Sequence, residues 1–216
     1  MKKLTLVIRY SSGTIFEKSL LSLAESVLVE SIVVMNQRPV YLEVPKCRVL
    51  AADPIQSQET LSMVLEDIHT EYVLFLPGPG TVFIKTEALE KMLEAAESTR
   101  AGMVYSDYYD MEPGGLGKGR ALHPLNDYLL GSVRDDFDFG AMMLFSVPAV
   151  RDAVKKYGAI PDTRYAGLYG LRLNVSMDNL IHHVAEPLYS VVMTDGHSEG
   201  EKLFSYVDPR NEALQK

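Results

Sequence analysis

Short apolar runs alternate with amphipathic helical segments over roughly the first 107 residues, and few folds accommodate that rhythm. "LTLVIRY" (Leu4–Tyr10) is mostly apolar, as expected for a strand covered on both faces. After the "SSG" turn, "TIFEKSLLSLAESVL" carries Phe16, Leu20, Leu23, Ala24 and Val27 on one helical face. Thr14 and Glu17 form a capping-box pattern at its start. "SIVVM" (Ser31–Met35) and "CRVLAA" (Cys47–Ala52) read as further strands. "SQETLSMVLEDIHT" reads as a helix striped by Leu61, Val64, Leu65 and Ile68. The strand "YVLFL" follows, then "TEALEKMLEAAEST", with Thr86 expected as N-cap and Leu89, Met92, Leu93 and Ala96 inside. "GMVYSD" (Gly102–Asp107) is the next strand. This spacing predicts βαβ units, and so an α/β fold with a mostly parallel central sheet flanked by helices.

The second half is less regular. "MEPGGLGKG" reads as a glycine-rich hairpin tip or loop. "GAMMLFSV" (Gly140–Val147) reads as a strand, and "VPAVRDAVKKYG" as a helix with Pro148 early and Gly158 at its stop. "YAGLYGLRLNV" (Tyr165–Val175) has Leu168, Leu171 and Val175 at helical spacing, against two glycines that weaken a helix. "LIHHVAEPLYSVVM" reads as two short strands split near Glu186-Pro187. The division expected is one domain: a nucleotide-type α/β half at 1–110, an irregular second half at 111–193, and a polar tail at 194–216. That tail ends without a closing element, which points to a further domain beyond Lys216 in the native protein.

Composition narrows the function. The formal net charge is −8 and no Lys/Arg cluster is present, so no nucleic-acid partner is expected, because such binders draw most of their affinity from phosphate neutralisation. The single cysteine, Cys47, excludes an intramolecular disulfide and a cysteine-built metal site, and fits a reducing compartment. No apolar stretch approaches the roughly eighteen residues of a membrane span, and Leu4–Ile8 is too short for a signal peptide. The expectation is a cytoplasmic protein without a transmembrane segment.

One strand end is conspicuous. "EYVLFLPGPGTVF" (Glu71–Phe83) runs from a buried strand into Pro77, Gly78, Pro79 and Gly80, although strand ends of α/β sheets are where ligands bind. In this context the chain resembles the family 2 glycosyltransferases of the GT-A fold, from about Lys3 to Met193. Five segments occur in the family's order: "LTLVIRYSS" with "FEKSLLSLAES", "SIVVMNQ" against an "iivvDn" strand, "IHTEYVLFLPGPGTVF" against "a-geyilflDaDD", "YAGLYGLRLNV" against an "eD" helix with "dl-lRl", and "AEPLY" against a "pe-ly" turn.

The resemblance implies a GT-A-like nucleotide-diphospho-sugar transferase fold, a nucleotide-sugar donor and a saccharide or other acceptor. It implies a divalent cation, Mn²⁺ or Mg²⁺, bridging the donor diphosphate from an Asp-x-Asp motif. It also implies a carboxylate base from the "eD" pair. This sequence departs at both places. The Asp-x-Asp slot holds Pro77-Gly78-Pro79-Gly80. The "eD" slot falls on Ala166, Gly167 or Leu168. The "vvDn" acid is replaced by Met35-Asn36. The cofactor is therefore left unknown, and the nucleotide cleft is expected at Tyr10, Ser11, Asn36, Pro77 and Gly78.

Three clusters are candidates to replace the lost groups. In "YSDYYDME", Asp107 and Asp110 lie just past a strand and form an acceptor-side acid pair, or a solvated turn. In "GSVRDDFDFG", Asp135, Asp136 and Asp138 cluster with Arg134 between aromatics. Asp136 and Asp138 would share one face of an extended segment and are the expected catalytic pair, with Arg134 and Asp135 on the acceptor side. Phe137 or Phe139 would form an apolar platform, or both would lie in the core. In "MTDGHSEGEK", Asp195 and His197 fit a metal shell or a surface loop. Cys47, the pair His182-His183 and the pair Tyr165-Tyr169 read as structural.

Two function classes remain: a glycosyltransferase with a divergent site, and a catalytically inactive GT-A-like module that binds sugar or partners a further transferase domain or a second copy. A nucleotidyltransferase is a third reading, with only Arg9 and Gly13 to supply its phosphate loop.

Overall fold

The computed structural model describes residues 3–52, 56–78, 81–111, 119–131, 137–158, 163 and 166–192. The strands are β1 (Leu4–Arg9), β2 (Val29–Asn36), β3 (Cys47–Ala51), β4 (Tyr72–Leu76), β5 (Thr81–Ile84), β6 (Met103–Met111), β7 (Arg120–His123), β8 (Met143–Ser146) and β9 (Ile181–Val192). The helices are α1 (Thr14–Glu25), α2 (Gln58–Glu66), α3 (Thr86–Thr99), α4 (Val147–Tyr157) and α5 (Gly167–Ser176). The strands form one sheet in the order β3-β2-β1-β4-β8-β6-β9-β5, with β7 paired to β6.

The expected parallel half is β3-β2-β1-β4. The apolar runs of β2, β1 and β4 are buried on both faces, whereas the edge strand β3 has no fully buried residue, and successive side chains divide between two cores as the two-residue strand period requires. Leu4, Leu6, Ile8, Ile32, Val34, Leu74 and Leu76 pack with α1 and α3. Val7, Val33, Met35, Val73 and Phe75 pack with α2, α4 and α5. Thr5 is the polar exception in β1, 3% exposed, and its hydroxyl bonds the hydroxyls of Ser31 at 3.1 Å and Thr70 at 2.9 Å.

Beyond β4 the sheet is mixed. β8 runs antiparallel to both β4 and β6, whereas β6 and β9 are parallel. The strand expected over Gly102–Asp107 extends to Met111, so Asp107 and Asp110 lie within β6 and not past its end. The pairing Met111↔Arg120 makes β6 and β7 a hairpin around the glycine-rich segment, whose residues 112–118 lie outside the described set. The two strands expected either side of Glu186-Pro187 are one, β9. Its register against β6 shifts between Ser106 and Tyr108, from Val184 to Tyr189. Pro187 falls in that irregularity, where a missing N–H breaks no ladder bond.

Local details differ from the sequence expectations at helix starts. The N-cap of α1 is Gly13, without a side-chain cap bond, so the Thr14–Glu17 capping box does not form. Val27 lies past the end of α1 and is 77% exposed. Thr86 is the first helical residue of α3 and Lys85 its cap. Ser57 does cap α2, its hydroxyl accepting from the Thr60 N–H. No helix among the described residues is long and apolar enough to cross a membrane.

Candidate functional site

The ends of β1, β2 and β4 lie side by side, because Arg9 pairs with Met35 and Ile8 with Leu76. Tyr10, Asn36 and Pro77 are therefore brought to one edge, followed by Ser11 and Gly78. The Tyr10 N–H donates to the Met35 carbonyl at 2.8 Å, and its ring meets Phe16 edge-on at 5.5 Å. Asn36 Nδ2 donates to the Arg38 carbonyl at 2.9 Å. This edge is the crevice outside the carboxyl ends of parallel strands, where open α/β sheets bind ligands.

Strand direction carries a second group of residues to that edge. β8 is antiparallel to β4, so the segment entering β8 arrives where β4 leaves. A Cβ on Gly78 would stand 3.7 Å from Ala141 Cβ. That entering segment is held on β9: the Ala141 N–H donates to Tyr189 Oη at 2.8 Å. Tyr189 is 2% exposed and stacked on Tyr108 at 5.2 Å. Gly140 has φ +72°, and a Cβ there would lie 2.2 Å from Tyr189 Oη, so glycine is required for the approach.

The acids come together around histidines that the sequence reading did not select as functional. The register Tyr108↔His123 lays the His123 ring on Tyr108 at 4.3 Å, and Asp110 sits two residues along on the same face. His123 Nδ1 is 2.8 Å from Asp110 Oδ2. His123 Nε2 is 3.5 Å from Asp138 Oδ2, while Asp138 Oδ1 accepts the Gly140 N–H at 2.7 Å. The side chains of His123, Asp110 and Asp138 are 32%, 42% and 51% exposed, so the group is open to a solute. Asp110 and Asp138 thus flank one imidazole, with Asp110 bonded to it. Arg134, Asp135, Asp136, Asp195 and His197 lie outside the described residues.

Asp107 has a different setting. Its Oδ1 accepts the Leu125 N–H at 2.8 Å and lies 2.8 Å from His183 Nε2, whose Nδ1 lies 2.8 Å from Asp127. The His183 side chain is 5% exposed and stacked on Tyr105 at 4.8 Å. This bonded group, with His183 and Asp107 enclosed and Asp127 exposed, fastens β6, β9 and the segment after β7, in keeping with the structural role expected of His183 within the pair His182-His183. Burial also raises the phenol pKa values of Tyr105, Tyr108 and Tyr189, keeping them neutral.

Phe139 is core, 4% exposed, and packs on Tyr105 at 5.1 Å, whereas Phe137 is half-buried beside it. The Arg172 guanidinium covers the Phe139 ring at 4.8 Å. Its buried Nε has no hydrogen-bond partner among the described residues. Desolvation lowers its pKa to about 10, so it stays a cation at neutral pH.

The two slots of the resemblance do not fit their usual groups. Neither Pro77 nor Gly78 offers a metal-ligating side chain, and no cluster of three or more His, Cys, Asp or Glu among the described residues is arranged to hold a metal ion. At the start of α5 a Cβ on Gly167 would stand 2.6 Å from the Gln56 carbonyl oxygen and 3.0 Å from the Gln58 nitrogen. The beginnings of α2 and α5 are bonded there, through Leu168 N–H to Gln56 and Gln58 N–H to the Thr163 carbonyl. Backbone occupies the space that a base carboxylate at Gly167 would need.

No protein-family model and no curated protein sequence matches the chain. Similar solved structures include S. aureus TarS 1–349 in complex with UDP-GlcNAc, at 15% identity and a TM-score of 0.60, covering 90% of this chain and 60% of that one. The same fragment in complex with UDP matches at 13% identity and TM-score 0.59, over 89% and 61% of the two chains. The chain thus spans about three-fifths of that TarS fragment. The fold is α/β and GT-A-like, a curled mixed sheet flanked by helices.

Proposed function

We propose that this chain binds a nucleotide-sugar donor along the edge formed by Tyr10, Ser11, Asn36, Pro77 and Gly78, and transfers its sugar to a saccharide hydroxyl presented at Asp110, His123 and Asp138. The observation that carries this reading is the meeting of two features at one edge: the strand-end crevice, and an exposed acid–imidazole group whose supporting segment touches Gly78. The bound UDP-GlcNAc and UDP of the TarS fragment support the donor class. Asp138 is the catalytic acid of the sequence reading that falls within the described residues, with Asp136 as its proposed partner. Arg134 and Asp135 complete the proposed acceptor side.

Calorimetry with UDP, GDP, UDP-GlcNAc and GDP-mannose, with and without Mn²⁺, tests it. The expected result is saturable binding that weakens in Asn36→Ala. A raised melting temperature should accompany binding, since a ligand that selects the folded state stabilises it by mass action. No binding of any nucleotide or nucleotide sugar would sink the reading. The second reading, a non-catalytic GT-A-like module, is favoured by one observation: both slots that carry the usual chemistry lack a carboxylate, and one is filled by backbone. It predicts donor or saccharide binding without turnover.

A further inference from the structure

We propose that His123 is the proton acceptor for the sugar acceptor's hydroxyl, with Asp110 as its positioning residue, in place of the carboxylate missing at the start of α5. This rests on the transferase reading above and names the group within that site that moves the proton.

An ionised carboxylate only accepts hydrogen bonds. At 2.8 Å from Asp110 Oδ2, His123 Nδ1 must therefore carry the proton. In the neutral ring Nε2 then presents a bare lone pair. Nε2 is 3.5 Å from Asp138 Oδ2, beyond the usual 2.7–3.2 Å range for an N–H···O bond, so the Nε2 lone pair is not committed to Asp138. A hydroxyl seated about 2.8 Å from Nε2 would donate its single proton to that lone pair. The ring plane is fixed by stacking on Tyr108, itself stacked on Tyr189. Among the described residues, the titratable groups facing His123 are Asp110 and Tyr108 from β6 and Asp138 from the segment before β8.

The step balances as follows. The acceptor oxygen attacks the anomeric carbon of the donor and forms the glycosidic bond. The bond from that carbon to the diphosphate oxygen breaks, and its electron pair leaves with the nucleoside diphosphate. The hydroxyl proton passes to Nε2. The imidazolium so formed lies between Asp110 and Asp138, and both carboxylates interact with it more strongly than with the neutral ring. Stabilisation that grows toward the transition state is what accelerates a reaction. His123 later returns its proton to solvent. His183 is excluded from this role, since its two nitrogens are occupied and its side chain is 5% exposed.

The test uses the whole chain with UDP-GlcNAc, UDP-glucose and GDP-mannose as donors and methyl pyranosides as acceptors. Nitrogen-15 NMR of the resting protein at pH 7.5 should show His123 protonated at Nδ1 and bare at Nε2, and Asp110→Asn should disturb that tautomer. Release of nucleoside diphosphate should fall about 10²–10⁴-fold in kcat in His123→Gln, with KM changed less than about threefold and the acidic limb of the pH profile lost. Asp110→Asn should lower kcat by a smaller factor. Circular dichroism of both variants verifies folding. Three results would each overturn the assignment: His123 doubly protonated at rest, His123→Gln turning over like wild type, or a bound donor with no turnover. The last two leave donor binding standing, whereas absence of donor binding removes the transferase reading itself.

Discussion

Replacing Gly140 by alanine tests how the candidate site is held. Two penalties follow from the geometry. The backbone φ of +72° costs an L-residue about 1–2 kcal/mol. The new Cβ would lie 2.2 Å from Tyr189 Oη and 3.2 Å from Leu125 Cδ1. Tyr189 cannot swing away, because it is 2% exposed, stacked on Tyr108 and bonded to Ala141. Overpacking of this kind costs about 1–3 kcal/mol. Gly140→Ala should therefore lose about 2–5 kcal/mol, or roughly 4–20 °C in Tm for a chain of this size. Tyr189→Phe alone removes the acceptor for the Ala141 N–H and should cost about 1 kcal/mol. In the double variant the oxygen that collides with Cβ is gone, so the two losses should not add. Urea denaturation of the four proteins measures this. The double variant should be at least as stable as Gly140→Ala, where additivity would make it about 1 kcal/mol worse. Strictly additive losses, or a Gly140→Ala variant within about 0.5 kcal/mol of wild type, would refute the proposed lock.

Gly167→Asp, which installs a carboxylate at a possible base slot, should destabilise by about 2 kcal/mol or more because its Cβ meets Gln56 and Gln58 backbone, and it should add no turnover; a stable, more active variant would contradict the packing described. Asp107→Ala should cost about 1–3 kcal/mol by removing the partner of the part-buried Leu125 N–H and of His183 Nε2, while Asp107→Asn, which keeps an acceptor oxygen, should cost less; equal melting curves would count against a fastening role. Burial raises the Cys47 thiol pKa from 9.0 to about 11. The folded state therefore holds its proton where the unfolded thiol has lost it, so this contribution is present below about pH 9 and is lost as pH rises toward 11. At pH 8 iodoacetamide should label Cys47 about a hundredfold more slowly in the folded than in the urea-unfolded protein; equal rates would refute the burial effect.

The parallel half of the fold was legible because its information is local. A strand buried on both faces must be apolar at nearly every position, and "LTLVIRY", "SIVVM" and "YVLFL" are. Helix stripes such as Leu61–Val64 and Leu89–Met92–Leu93–Ala96 followed from the 3.6-residue period, and these residues are buried. β5 and β7 were missed: at four residues each, neither shows enough periods to stand out from a loop. Glu186-Pro187 looked like a break because proline removes a ladder donor, and only pairing with β6 revealed that β9 continues through it.

The site divides along the same line. The sequence alone determined which carboxylates were absent, since Pro77, Gly78 and Gly167 are fixed by identity, and it selected Asp110 and Asp138 as acids lying near aromatics. It could not select His123, which stands alone in "GRALHPL" with no motif around it. The tertiary structure joins Asp110 to His123 across a hairpin, 13 residues apart in the chain, and brings Asp138 to the same ring through an antiparallel strand entry beside Gly78. Periodicity encodes which face a residue takes. Which faces meet is decided by strand order and register, and those are set by long-range packing rather than by local sequence.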